Sequence, residues 1–140
     1  MRIIKPSFEI WDQEEGLEGV YRQIERAGRV CYKSEDKITE TSAKEFVDKM
    51  IKSGHGAMLE HGTIYLKRDS TKEDNLEWAR RYLFSPYSRI SCGEGSHRVD
   101  GILYNTVYIT TNFRVLVEQN WLDDLKYICE PTEYHEGEKA

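Results

Sequence analysis

The sequence is poor in the residues that mark special classes of chain. Three prolines and three cysteines occur in 140 residues. Cys31, Cys92 and Cys129 form no C-x-x-C pair, which fits neither a disulfide framework nor a cysteine-rich zinc site. Reduced thiols in a cytoplasmic protein are the expectation. No apolar run approaches the ~18 residues of a membrane span, and Met1-Arg2-Ile3-Ile4-Lys5-Pro6 lacks the apolar stretch of a secretory signal. Cationic excess is missing as well: 20 basic residues against 25 acidic ones give a net charge of −5, so no global field draws the chain onto nucleic acid. Neither a membrane nor a nucleic-acid partner is expected.

What is present reads as a string of ordinary elements without a repeat. Arg2 to Ile10 carries Ile3, Ile4, Phe8 and Ile10 around Pro6, a short strand that the proline confines to a sheet edge or to two short extended pieces. From Leu17 the spacing becomes helical, with Val20, Tyr21, Ile24 and Ala27 on one face and Gly28 as the stop. Ser42-Ala43-Lys44-Glu45 has the form of a capping box opening a second helix, whose stripe is Phe46, Val47, Met50 and Ile51 and whose terminator is Gly54. A strand, Thr63 to Leu66, follows. The next stretch is polar and contains one amphipathic helix around Leu76, Ala79, Arg80 and Leu83; residues 67–101 read as an insertion. Tyr104 to Thr111, rich in β-branched and aromatic residues, reads as a strand or the second arm of a hairpin. Asn112 is then the N-cap of a last helix running through Trp121 and Ile128 to Pro131, with a polar tail over 132–140. The mixture predicts one domain over 1–140 of the α/β (α+β) class, a central sheet flanked by helices.

The least ordinary stretch is Gly54-His55-Gly56-Ala57-Met58-Leu59-Glu60-His61. Glu60 and His61 stand between a glycine-containing loop and a strand, where a turn can present side chains to a ligand; a histidine bonded at the end of a sheet beside a surface glutamate has the same pattern. Zinc is disfavoured, since His55 and His61 are six apart and no H-E-x-x-H is present. Gly54-His55-Gly56 lacks the lysine and serine of a phosphate loop, and there is no G-x-S-x-G elbow. Arg80-Arg81 and His97-Arg98 are anion-binding candidates, with surface pairing to Glu77 the plainer role for the first. Cys31, after Gly28, is the cysteine best placed for a ligand contact.

Two separated runs carry a family likeness. Glu25-Arg26-Ala27-Gly28-Arg29-Val30-Cys31-Tyr32-Lys33-Ser34 and Gly54 to Thr63, in that order, resemble the amino-terminal part of the flavin-dependent thymidylate synthases. The likeness continues through Tyr108 to Leu116 and Asn120-Trp121-Leu122 to Glu130-Pro131-Thr132-Glu133-Tyr134-His135-Glu136. The resemblance implies reductive methylation of dUMP to dTMP with methylenetetrahydrofolate as carbon donor, NADPH as reductant and FAD as hydride carrier, in a homotetramer with shared active sites. It implies a catalytic, flavin-side role for His61 and cofactor contacts for Thr63 and Cys31. Holding and tuning the ring is what a protein contributes to flavin chemistry.

The likeness has a gap. The family's Arg-His-Arg signature with its downstream serine, which grips nucleotide phosphate and flavin, is absent: Ser96-His97-Arg98 lacks the first arginine, and Arg80-Arg81 encloses no histidine. Loss of two charge-assisted contacts of about 1.5–3 kcal/mol each weakens nucleotide binding by on the order of a hundredfold or more. The expectation is an incomplete, inactive homologue that contacts dUMP-class ligands weakly, or a non-catalytic oligomerisation or partner-binding module. Trp121, Leu122 and Ile128 are expected to form a sticky patch wherever their packing partners are missing.

Overall fold

The computed structural model describes residues 5–93 and 95–130. Its frame is an antiparallel sheet centred on one long strand. β1 (Thr63–Thr71) pairs along β4 (Ile102–Asn112) from Thr63 opposite Asn112 to Thr71 opposite Tyr104. The other edge of β4 is divided between β2 (Arg89–Cys92), opposite Val107–Thr110, and β3 (His97–Val99), opposite Ile102–Tyr104. Helices and an open antiparallel sheet define an α+β protein.

Strand alternation puts Ile64, Leu66, Val107 and Ile109 on one buried face. Against the core stand α1 (Gly16–Cys31), α2 (Ser42–Ser53), the single turn α3 (Gly56–Leu59), α4 (Lys72–Leu83) and α5 (Phe113–Glu118). Val20 and Ile24 of α1 join Phe46, Val47 and Met50 of α2 in one cluster with the sheet, Trp78, Tyr82, Phe113 and Leu116.

The first helix does not stop at Gly28. A Cβ at Gly28 would lie 2.4 Å from the Phe46 ring, so the glycine serves the close approach of α1 to α2. The stop comes later, where Lys33 adopts φ 52° and the Lys33 and Ser34 amides bond to Val30 and Arg29 carbonyls at 3.2 and 2.8 Å. In α2 the terminator is Gly54, at φ 74°, as its composition indicates.

The capping box is not formed. Ser42 is the first helical residue, and its hydroxyl donates to Glu25 Oε1 at 2.9 Å, while the cap position, Thr41, makes no side-chain bond. Glu25 is 1% exposed and also accepts from Arg29; satisfying this buried carboxylate outweighs a cap. Glu45 instead faces Lys49 at 3.6 Å, both more than two-thirds exposed. Glu45→Ala should therefore change stability by less than about 0.5 kcal/mol, and Ser42→Ala should cost about 1.5–3 kcal/mol through Glu25. Urea unfolding midpoints of the two variants separate the roles.

Three further expectations change. Residues 5–10 form no strand, and Phe8 and Ile10 are 91% and 77% exposed; Met1 to Ile4 lie outside the described residues. The outer edge of β1 is already taken, by Gln13, which bonds both backbone groups of Thr63 at 2.9 Å, and by Cys129, whose amide reaches Tyr65 O at 2.9 Å. β1 does not end at Leu66 but runs to Thr71, whose hydroxyl caps α4 by accepting from Asp74 N at 3.1 Å. The last helix breaks after Glu118, because Asn120 takes φ 60° and the chain resumes as a 3-10 helix over Leu122–Tyr127. Its N-cap is Asn112, accepting from Val115 N. Trp121 and Ile128 pack on the core, Trp121 at 5.0 Å from the Tyr82 ring, leaving Leu122 at 37% exposure.

The buried face of α4 is Asn75, Trp78, Ala79 and Tyr82, while Leu76 and Leu83 remain 57% and 62% exposed. Among the described residues no helix is long and apolar enough to cross a membrane.

Candidate functional site

The glycine-histidine stretch lies where four elements meet: the end of α1, α3, the head of β1 and the start of α5. Gly62 makes the junction close. A Cβ there would be 2.7 and 2.8 Å from Val20 and Ile24, and the Gly62 carbonyl accepts from Phe113 N at 2.9 Å. This fixes His61 and Thr63 on either side of a buried glycine.

His61 is exposed, and its imidazole has no partner among the described residues. Thr63 is half-buried, with its backbone clamped by Gln13. Its crevice, shared with Val20, Tyr65 and Cys129, holds about 10 Å³ and includes neither His61 nor Cys31. Cys31 is an exposed free thiol at the end of α1, seven residues beyond Ile24, or roughly 10 Å at the helical rise. Its neighbour Tyr32 bonds His55 Nδ1 through its hydroxyl at 2.6 Å, the rings stacked at 26°. The chain thus places Cys31 beside the His55 loop and His61 and Thr63 at the head of β1.

Glu60 has a partner that sequence reading missed. Arg114 NH1 donates to Glu60 Oε1 and its Nε to Glu118 Oε1, both at 2.7 Å. Gly56 gives this guanidinium room, since a Cβ would sit 2.9 Å from Arg114 Nε. The two bonds raise the Arg114 pKa, Glu118 contributing most and Glu60 next. Two carboxylates on one guanidinium leave the cluster net negative. Its only sequence signal is Arg114 one turn before Glu118; Glu60 is 54 residues away.

The second polar centre is Asp124, 2% exposed. It accepts from Trp78 Nε1 at 3.1 Å, Arg81 NH1 at 3.1 Å and Tyr82 Oη at 2.5 Å. Of the arginine pair, Arg80 faces Glu77 at 3.7 Å and Arg81 serves this buried acid. Tyr104 stacks on His97, and Tyr82 and Tyr108 are buried. No group of three metal-ligating side chains occurs among the described residues.

One curated protein, a flavin-dependent thymidylate synthase from Corynebacterium aurimucosum, is 33% identical over 84 residues, covering 58% of this chain and 33% of that protein. The chain thus matches about a third of the length of its relative. No family model and no solved structure matches it. Flavin-dependent synthases therefore define the class to which the chain has a partial likeness.

FAD tests that likeness. A dinucleotide needs an enclosing pocket and cations for its pyrophosphate. The crevice at Thr63 is about 10 Å³, and Arg114 is spent on Glu60 and Glu118. The crevice at Thr63 is too small to enclose FAD by itself.

Proposed function

We propose that this chain is a partial homologue of the flavin-dependent thymidylate synthases, corresponding to their amino-terminal portion with residues 67–101 inserted, and that it has no synthase turnover by itself. The supporting observation is the state of the β1 head: His61 and Thr63 are presented beside a glycine junction, yet the neighbouring guanidinium is neutralised by two carboxylates. In this reading Cys31, His61 and Thr63 are one wall of a flavin site. Its arginines come from elsewhere in a homo-oligomer or a second polypeptide, and dUMP, NADPH and methylenetetrahydrofolate are ligands of the completed assembly.

Titration of the purified chain with FAD, followed by flavin fluorescence with and without dUMP, is expected to show no saturable quenching in the micromolar range. Micromolar quenching that His61→Ala weakens about tenfold would overturn the incomplete-site reading. A second reading, a partner-binding module, is favoured by Phe84 and Tyr87, 89% and 63% exposed in the α4–β2 connection. Sedimentation of the wild type and Phe84→Ser tests it, with loss of an oligomer in the variant as the expected result.

A further inference from the structure

A cavity of about 260 Å³ lies between α4 and the β2 edge of the sheet. Leu76, Ala79 and Leu83 form one wall, and Ile90 and Val107 the facing one. The exposure of Leu76 and Leu83 belongs to this groove: the helix turns Trp78 and Tyr82 inward and leaves its leucines more than half exposed.

Charge and hydrogen bonding state what would suit it. Among the described residues the groove's charged lining is Lys72 and Arg80, with no acidic residue. Lys72 makes no ion pair among the described residues, and Arg80 meets Glu77 only at 3.7 Å with both side chains more than 60% exposed. Asn75, fully buried on the same lining, donates through Nδ2 to Asn105 Oδ1 at 2.8 Å while its own Oδ1, also buried, has no partner. Asn75 Oδ1 is closed off from the groove within the fold, whereas a cationic rim is more than a purely apolar groove needs.

We propose that this groove binds a small anionic amphiphile, an alkyl or aryl carboxylate whose apolar body fills the space between Leu76, Leu83 and Ile90 and whose carboxylate meets Lys72 and Arg80. The volume equals that of about nine water molecules at ~30 Å³ each, which suits a medium-chain body. Residues 131–140, Pro131 to Ala140, are mostly polar and acidic and supply too little apolar surface to occupy it.

The test follows backbone amide NMR shifts of the full chain on titration with octanoate and octylamine. Saturable shifts confined to α4, β2 and the middle of β4 are expected for octanoate, with octylamine at least about tenfold weaker. Lys72→Glu with Arg80→Glu, both on the exposed face of a stable helix, should abolish the preference for octanoate over octylamine, and Ala79→Trp should abolish binding by filling the groove. Equal binding of octanoate and octylamine, or no saturable shift, overturns the proposal. So do α4 and β2 shifts that follow protein concentration and ignore octanoate, since the groove is then a contact between copies.

Discussion

Asp124→Ala should lower the unfolding free energy by about 3 kcal/mol or more, a large share of the ~5–15 kcal/mol that holds a typical domain. Asp124 is 2% exposed and collects an indole N–H, a phenol and a guanidinium. Truncation leaves Trp78 Nε1 and Tyr82 Oη buried without an acceptor, each costing about 1–3 kcal/mol, and removes a charge-assisted bond from Arg81. The Arg81 side chain is 35% exposed, so water recovers part of its solvation and the loss falls short of a fully buried ion pair. Asp124→Asn keeps one acceptor and sets an amide against Arg81, and it should fall between wild type and alanine. Urea unfolding measures the series; a loss below about 1 kcal/mol for alanine would show that water replaces the carboxylate. The acid joins the 3-10 segment Leu122–Tyr127 to α4, so the variant should also loosen Trp121 from Tyr82.

This cluster marks where sequence reading ends. Gly54 and Asn112 were legible because a cap is local: a left-handed glycine, or an amide oxygen facing an N–H three residues on, needs no distant partner. The Asp100-Gly101 pair was equally local, φ 51° and 79° in a two-residue hairpin between β3 and β4, and its Asp-Gly dipeptide was the signal that could have found it. Gly28 misled because its task is contact with Phe46, a neighbour only in the folded chain. Residues 5–10 form no strand for a similar reason, since Gln13 and Cys129 occupy the edge they would have used. In α4 an asparagine lies inward and two leucines outward, so apolar spacing alone selected the wrong face. At the candidate site Glu60 and His61 stood out in sequence, whereas Arg114 and the Tyr32–His55 pair were brought to them by tertiary structure.

Alkaline pH should expose the same cluster by titration. Burial, the hydrogen bond to Asp124 and the negative charge of Asp124 all raise the Tyr82 pKa well above its ordinary value near 10, with Arg81 opposing them weakly. The unfolded phenol keeps the ordinary value. Below about pH 10 Tyr82 is protonated in both states, and its contribution is fully present; above it the unfolded chain releases a proton that the folded chain retains, so stability falls as pH rises, by about 1.4 kcal/mol per unit. Half-buried Tyr21 is raised in the same direction, chiefly by desolvation with Lys44 opposing, and adds to the slope. Tyr82→Phe removes one titrating group: less stable than wild type at neutral pH for want of the bond to Asp124, it should lose stability more slowly above pH 10, so the two urea midpoints converge. Phenolate absorbance on alkaline unfolding should be one tyrosine smaller in the variant. Parallel midpoints across that range would mean that Tyr82 ionises in the folded protein, which the 2.5 Å bond to a buried carboxylate opposes.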